Sequence, residues 1–167
     1  MTTASTAPSR RGRPAAAGDV AAIARLWHAG WQEAHRGQVP EALARARGLA
    51  DLSRRVAEDL ERVQVAPSEH GGVAGFVTVH DDEVEQLYVA PEARGRGMAD
   101  RLLDHAEQAI AESHDRAWLA VVAANRRARA FYARRGWADA GPVAYQARTG
   151  SGTVTVAVRR YEKALRR

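Results

Sequence analysis

The sequence predicts a single α/β domain whose central sheet is mixed but mostly antiparallel, with helices on both faces. Three observations lead to this fold class. Apolar residues recur at helical spacing early in the chain, three short valine-rich segments follow in the middle, and strand and helix patterns then alternate. A chain of 167 residues is most simply one domain. We expect residues 1–9, rich in Ser, Thr, Ala and Pro, to be a disordered tail and residues 10–167 to form the domain.

The first third of the chain predicts a weak strand and two helical regions. The strand lies in "RRGRPAAAGD" and ends near Gly18, and Asp19 is a suitable N-cap for the helix that follows. The apolar face of that helix consists of Val20, Ile23, Trp27 and Trp31. Gly37 and Pro40 interrupt the pattern. A second helical region follows, with an apolar face formed by Leu49, Leu52, Val56 and Leu60.

The middle of the chain changes to the pattern of strands. The segments "RVQVAP", "GGVAGFVTVH" and "DEVEQLYVAP" are short and rich in valine. Turn residues at 70–72 and 80–82 separate them, so we expect three antiparallel strands joined by hairpins. An Arg/Gly turn and a helix from about Met98 to His114 come next.

The last third predicts a buried strand, a helix and two final strands. The strand is "AWLAVVAAN", and the helix "RRARAFYARRGW" ends at Gly136, a glycine after a helix C-terminus. The final strands lie at about 138–147 and 153–161, on either side of the turn "TGSG". The strand–helix–strand unit over residues 84–123 should form a right-handed parallel crossover.

Composition excludes several classes of function. The chain has no cysteine, which excludes disulfides, thiolate metal sites and a cysteine nucleophile and fits a cytoplasmic protein. No apolar run reaches the ~18 residues of a membrane span, and the N-terminus lacks the apolar core of a signal peptide. The net charge is +5, but basic and acidic residues are interleaved and no aromatic–basic repeat occurs. Neither a membrane nor a nucleic-acid partner is therefore expected.

The Arg/Gly turn after the third middle strand has the arrangement that presents backbone N–H groups to a phosphate. A Walker A loop would need a lysine in the turn, and the chain's one lysine is Lys163. A Rossmann fingerprint would need a small residue where Asp100 stands. Residues 94–99 instead have the form R-x-x-G-x-A. Small residues there let the loop amides point at a diphosphate, and the positive end of the following helix favours the anion.

Three pieces of the sequence together resemble the GNAT superfamily of acyl-CoA-dependent N-acyltransferases. The loop resembles the family's pyrophosphate loop, Q/R-x-x-G-x-G/A, and "VEQLYVAPEARGRG" resembles its fourth strand. "NRRARAFYARRGW" resembles its second core motif, N-x-x-A-x-x-F-Y followed by a glycine–aromatic pair. The residues matching that motif are Asn125, Ala128, Phe131, Tyr132, Gly136 and Trp137. The resemblance covers residues 73–137 and, more loosely, 19–60, and it implies a GNAT-like fold and acetyl-CoA as cosubstrate.

The resemblance also implies where the cosubstrate lies. In the family the fourth and fifth strands separate and pantetheine enters the gap, where backbone groups of Leu87 and Val89 would hold it and stabilise the oxyanion. Asn125 would hold the cofactor's amide chain, or cap the helix that follows it, or both. The implied cofactor-binding residues are Leu87, Tyr88, Val89, Arg94, Gly95, Arg96, Gly97, Met98, Ala99, Asn125 and Ala128.

Two proton transfers accompany acyl transfer to an amine. Tyr132 matches the family's general acid, which protonates the departing thiolate; the alternative is a core aromatic residue. Glu83 and Glu85 alternate on one face of the fourth strand and are candidates for the base, with a pKa raised by burial. The alternative is that both are exposed charges at the start of a strand.

The acceptor pocket and any metal site are less constrained by the sequence. Trp31 and His35 are candidates to line the pocket, because the first helix and its following loop cover the amine site in this family. Trp31 also fits the apolar helix face, so a core position is the alternative. No metal site is expected, since the six histidines are scattered and no H-E-x-x-H occurs.

The leading hypothesis is an acetyl-CoA-dependent N-acetyltransferase that acts by direct transfer to a primary amine in a ternary complex. The alternative is a non-catalytic acyl-CoA-binding domain that senses the cofactor, and a basic nucleic-acid-binding protein is a third reading. Tyr132 favours the enzyme, because a binding module needs no general acid. A small-molecule or peptide amine is the expected acceptor, and a homodimer is left open. The fold does not choose among amines.

Overall fold

The computed structural model describes residues 12–165, so the expectation for the tail at 1–9 lies outside the described residues. Within these described residues, seven strands form one sheet in the order β1-β2-β3-β4-β5-β7-β6. The strands are β1 (Arg13–Pro14), β2 (Val63–Pro67), β3 (Val73–His80), β4 (Glu83–Val89), β5 (Arg116–Val121), β6 (Ala138–Thr149) and β7 (Gly152–Ala164). Adjacent strands are antiparallel except β4 and β5, which are parallel. The predicted mixed, mostly antiparallel sheet is confirmed.

In the part of the chain that the structure describes, five α-helices cover the two faces of this sheet. They are α1 (Val20–His35), α2 (Glu41–Ala46), α3 (Leu49–Glu58), α4 (Met98–Ala111) and α5 (Arg126–Arg134). On one face α1 and α3 bury an apolar cluster that includes Ile23, Trp27, Leu52, Val56 and Phe76. On the other face α4 and α5 bury a cluster that includes Leu102, Leu103, Ile110, Leu119 and Tyr132. None of the helices within residues 12–165 combines the length and the apolar character that a membrane span needs.

The parallel pair β4 and β5 is joined at one end and open at the other. The strands pair at Glu83 and Trp118 alone. Beside that pair the Trp118 N–H donates to the Asp82 carbonyl at 2.9 Å, and its indole N–H donates to the Asp82 carboxylate at 3.0 Å. Beyond this point the two strands separate, so their backbone groups along the gap face a space rather than each other. This gap positions the functional site.

A close approach between α1 and β4 closes one side of the gap. The ring of Tyr88 on β4 lies against Gly30 in α1, and a Cβ at Gly30 would stand 2.4 Å from the Tyr88 Cδ1 atom. Any side chain at Gly30 would therefore push the ring or the helix away. The absence of a side chain at this helical position lets Tyr88 stack on Phe76, with ring centroids 5.7 Å apart.

The N-terminal strand is shorter than expected, and Asp19 has a different role. A 3₁₀ turn at Ala17–Asp19 follows β1 where the sequence predicted more strand. Asp19 occupies the N-cap position of α1, but its carboxylate accepts hydrogen bonds from the Ala16 N–H at 2.8 Å and from Arg13 at 2.7 and 2.9 Å. These bonds tie the carboxylate to the turn, so it does not cap the first turn of α1.

The second helical region consists of two helices, α2 and α3. Gly48, in an extended conformation, separates α2 from α3. Leu49 begins α3 and is exposed, whereas Leu60 lies in a 3₁₀ turn beyond the end of that helix. Elsewhere the differences are at boundaries, since α4 ends at Ala111 and the last two strands are longer than predicted.

Candidate active site

A groove of about 430 Å³ runs between the end of β4, the loop before α4, and α5. Nearly all predicted cofactor-binding residues line it: Leu87, Tyr88, Val89, Arg94, Gly95, Gly97, Met98, Ala99, Asn125 and Ala128. Arg96 does not line it. The Arg96 side chain is 65% exposed and lies 3.8 Å from Glu69. The structure thus brings the two sequence motifs together on opposite walls of one groove.

The loop before α4 presents unpaired backbone donors to this groove. Gly97 is the N-cap of α4 with a φ of 72°, and Gly95 has a φ of 73°, a left-handed conformation that other residues rarely adopt. Within residues 12–165 the N–H groups of residues 95–100 have no hydrogen-bond acceptor. Free N–H groups at a helix N-terminus form an anion site. The loop therefore fits a diphosphate, as the sequence predicted.

The arginine that opens the loop, Arg94, lines the groove and also ties the loop to neighbouring elements. Arg94 donates from Nε to the Val89 carbonyl at 3.2 Å and forms a two-pronged ion pair with Glu33, at 3.0 and 2.8 Å. Glu33 also accepts a hydrogen bond from Arg127 at 3.1 Å. The hydrogen bond from Arg94 is the main reason why the pKa of Glu33 is lowered. Glu33 on α1 thus joins the loop to the start of α5, a role that the sequence did not reveal.

Asn125 has the capping role that the sequence allowed. Its side-chain oxygen accepts a hydrogen bond from the Ala128 N–H at 3.1 Å, which closes the first turn of α5. Its side chain also borders the groove. The cap orients α5, and with it Tyr132, toward the gap between the strands.

A second cavity of about 180 Å³ continues from the groove. The groove and this cavity share Leu87, Tyr88 and Tyr132 among their lining residues. The cavity is enclosed by α1, α2, α3 and strands β4 to β7, and it contains the predicted pocket residues Trp31 and His35. A molecule in the groove and a second molecule in the cavity would meet beside Tyr132.

Tyr132 is buried at this junction. Its ring contacts Phe131, Trp137 and Tyr161 edge-on or tilted, at centroid distances of 5.2, 6.0 and 6.3 Å. Burial raises the pKa of the Tyr132 hydroxyl above its usual range, and the nearby Tyr88 contributes. The hydroxyl has no hydrogen-bond partner in the described part of the chain. The group is therefore protonated at neutral pH and free to donate.

The two candidate bases have different surroundings. Glu83 accepts a hydrogen bond from the Tyr145 hydroxyl at 2.9 Å. Burial raises the pKa of Glu83 to about 7, with contributions from the charges of Glu85 and Asp82, while the Tyr145 hydrogen bond opposes the shift. A carboxyl with a pKa near neutrality is suited to proton transfer at physiological pH. Glu83 is thus not an exposed charge at the start of a strand.

Glu85 is instead part of a buried ion network. It is the extra residue of a β-bulge opposite β3. Its side chain is 7% exposed, and its Oε1 atom accepts hydrogen bonds from Arg55 at 3.1 Å and Arg148 at 3.2 Å. Glu85 is thus engaged by two arginines, whereas the hydrogen-bond donor to Glu83 is an uncharged tyrosine. The geometry therefore favours Glu83 over Glu85 as the base, although both line the cavity.

Trp31 and His35 form one wall of the cavity. Their rings stack with centroids 5.0 Å apart, and the His35 Nδ1–H donates to the Trp31 carbonyl at 3.0 Å. Burial lowers the pKa of His35, and the charge of Arg47 contributes. His35 is therefore neutral at physiological pH. Trp31 is also a buried core residue, so it packs in the core and lines the cavity at the same time.

Sequence reasoning missed several polar residues of the cavity, among them Arg47, Arg55 and Tyr145. The sequence pattern could have indicated a role for Arg55, because this residue lies between Leu52 and Val56 on the apolar face of α3, where a charge is unexpected. The sequence gives no comparable indication for Arg47 and Tyr145, since both lie in segments with no motif. As for metals, residues 12–165 contain no group of three or more histidine or acidic side chains that could hold an ion.

Comparison with known proteins identifies the family of the chain. The sequence model of the acetyltransferase (GNAT) family matches residues 23–137. A search among curated proteins found no match.

Several solved structures share the fold. A GCN5-related N-acetyltransferase from Rhodopseudomonas palustris has a TM-score of 0.72 and 21% identity, over 93% of this chain and 96% of that one. A ribosomal-protein-alanine N-acetyltransferase from Brucella melitensis has a TM-score of 0.68 and 21% identity, over 92% and 99%. A phosphinothricin acetyltransferase from Sinorhizobium meliloti, in complex with acetyl-CoA, has a TM-score of 0.66 and 19% identity, over 92% and 87%.

The loop geometry predicts the effect of a charge at Gly97. The substitution Gly97→Glu places a carboxylate where the backbone donors converge, so we expect the dissociation constant of coenzyme A to rise by roughly a hundredfold or more. Isothermal calorimetry measures the change. Gly97→Ala is the matched control, because it carries the same backbone strain without the charge, and it should bind more tightly than Gly97→Glu. Equal affinity of the two variants would show that the anion site lies elsewhere.

Proposed function

The chain belongs to the GNAT family of acetyltransferases, and from this premise we propose that it transfers the acetyl group of acetyl-CoA directly to a primary amine in a ternary complex. One observation carries the proposal. The groove with the unpaired loop amides and the cavity with Glu83 are continuous and meet at Tyr132. Two substrates bound at once would therefore have their reacting atoms between a base and an acid.

The residues of the groove fit the cosubstrate. The free N–H groups of residues 95–100 would hold the diphosphate, and the open edge of β4 at Leu87 and Val89 offers backbone groups to the pantetheine amides. Acetyl-CoA supplies an activated acetyl group as a thioester. Backbone N–H groups along β4 would orient the thioester carbonyl and stabilise the negative charge that develops on its oxygen.

Glu83 is the base in this proposal. The reaction joins the acceptor nitrogen to the acetyl carbon and breaks the carbon–sulfur bond, so the nitrogen must lose protons as it reacts. At a pKa of about 7 Glu83 is partly ionised at neutral pH and accepts a proton, directly or through a water molecule. The Tyr145 hydroxyl holds its carboxylate in place.

Tyr132 is the acid. The thiolate that leaves must gain one proton, and Tyr132 is protonated, buried and adjacent to both volumes. The chain has no cysteine that could carry the acetyl group between the two substrates. Direct transfer is accordingly the route that fits these residues.

The pKa of Glu83 predicts the pH dependence of the reaction. Since the base must be ionised, kcat/KM should rise about tenfold per pH unit below a midpoint near 7 and level off above it. Tyr145→Phe removes the hydrogen bond that lowers the pKa of Glu83, so it should move the midpoint to higher pH. Glu83→Gln should abolish this rise of kcat/KM with pH and lower the rate by roughly 10²–10⁴-fold. If the rise of kcat/KM with pH persists unchanged in Glu83→Gln, the group that titrates is the acceptor amine instead.

The position of Tyr132 predicts a selective loss of turnover. Tyr132→Phe keeps the ring and its packing but removes the donor, so kcat should fall by roughly 10²–10⁴-fold. The affinity for acetyl-CoA should change less than about threefold, because one uncharged hydroxyl contributes little to binding. Tyr161→Phe is the matched control, a buried tyrosine of the same aromatic cluster that lines neither volume. Equal turnover in the wild type and in Tyr132→Phe would contradict the role.

A further inference from the structure

Two buried arginines lie in the wall of the cavity, away from the proposed acid. Arg47 follows α2 and Arg55 lies in α3, and each is 5% exposed. Both line the same cavity as Glu83. Burial lowers the pKa of Arg47 to about 10, and the positive charge of Arg55 is the next largest cause. Two like charges in one buried wall are costly unless something compensates them.

Arg47 is poorly compensated by the protein. Its Nη1 atom donates to Asp51 at 3.3 Å, and the other oxygen of Asp51 is held more closely by Arg54 at 2.7 Å. A guanidinium group has five N–H donors. The bond to Asp51 is the one side-chain hydrogen bond that Arg47 makes within residues 12–165, and its side chain lines the cavity.

Arg55 is compensated by other means. Its Nη2 atom donates to Glu85 at 3.1 Å, and its guanidinium lies 4.8 Å from the ring centroid of Trp27. Glu85 also accepts a hydrogen bond from Arg148, so two arginines share this carboxylate. Glu85 makes no hydrogen bond to Arg47 in the described part of the chain.

We propose that Arg47 binds a carboxylate of the acceptor, and that the acceptor is a small amino acid whose amine lies toward Glu83. The planar fork of an arginine matches the two oxygens of a carboxylate, and a buried charge-assisted pair of this kind is strong. The cavity volume, about 180 Å³, equals roughly the space of six liquid water molecules, which suits a small molecule. This inference rests on the proposed acetyl transfer to an amine.

The same charges act against other amines. A polyamine or another polycation entering the cavity would place its second ammonium group near Arg47, Arg55 or Arg148. Like charges at a buried site select strongly against a ligand. An amino acid instead presents its ammonium end to Glu83 and its carboxylate to Arg47.

The proton balance differs from that of a neutral amine. An amino acid enters as an ammonium, and its nitrogen loses two protons as the bond to the acetyl carbon forms. One proton is needed by the sulfur, which leaves as a thiol after the carbon–sulfur bond breaks. The other passes through Glu83 to solvent, so each turnover releases one proton.

The test compares acceptors that differ only in the anionic group. Thiol release from acetyl-CoA is measured with the standard L-amino acids and with their carboxamides, which keep the amine and the side chain but lack the carboxylate. We expect kcat/KM for the best amino acid to exceed that for its carboxamide by roughly 10- to 100-fold. Spermidine and tyramine, amines without an anion, should be poor acceptors.

Variants assign the selectivity to Arg47. Arg47→Gln should lower kcat/KM for the amino acid by roughly 10- to 100-fold, mainly through KM, and lower that for the carboxamide much less. Arg47→Lys should recover part of the loss, because it restores the charge without the fork. Arg45→Gln is the matched control, an exposed arginine of α2 outside the cavity, and should behave as the wild type.

The outcomes separate the two proposals. Carboxamides or polyamines that react as well as amino acids would overturn the carboxylate site and leave the proposed acetyl transfer intact. No thiol release with any of these amines would contradict the proposed transfer to an amine, and the carboxylate site with it. If Arg47→Gln does not fold, the comparison of amino acids with carboxamides in the wild type decides the matter alone.

Discussion

The parallel strands β4 and β5 pair at one position, and this limited pairing determines the rest of the site. The strands pair at Glu83 and Trp118, and the two hydrogen bonds from Trp118 to Asp82 fix that end of the pair. Because the strands separate from there, one edge of β4 stays open. The groove and the cavity both border this gap, and Glu83 stands at its closed end. A fully paired sheet would leave no room for either substrate.

Electrostatic contacts hold the walls of the gap in place. Glu33 on α1 binds both Arg94 at the loop and Arg127 at the start of α5, so three segments distant in sequence are joined at one carboxylate. With Arg94 used in this way, the loop presents backbone donors rather than a side chain to the anion. The cavity differs from the loop in this respect. Arg94 is engaged by Glu33 and Val89, whereas Arg47 makes one side-chain hydrogen bond in the described part of the chain, to Asp51. In the proposed reaction, backbone amides would bind the cosubstrate and side-chain charges would bind the acceptor.

The sequence predicted the parts of the site that depend on local geometry. The glycines of the loop, the Asn125 cap and Tyr132 follow from short-range patterns, and all lie on one groove in the structure. Glu83 and Glu85 could not be distinguished in the same way, because they alternate identically along β4. Their partners, Tyr145 and Arg55, are 62 and 30 residues away, and only the folded chain brings them close. Arg47 is similarly invisible, since its burial depends on how α2 and α3 pack.

The most direct test of the central claim, that this groove holds acetyl-CoA, is a calorimetric titration of the purified protein with acetyl-CoA, with coenzyme A and NADP as controls. The geometry predicts saturable binding of acetyl-CoA and coenzyme A and no binding of NADP, which also carries a diphosphate but lacks pantetheine. The absence of binding by both CoA species would contradict the claim. The glycine loop would then serve only to begin α4.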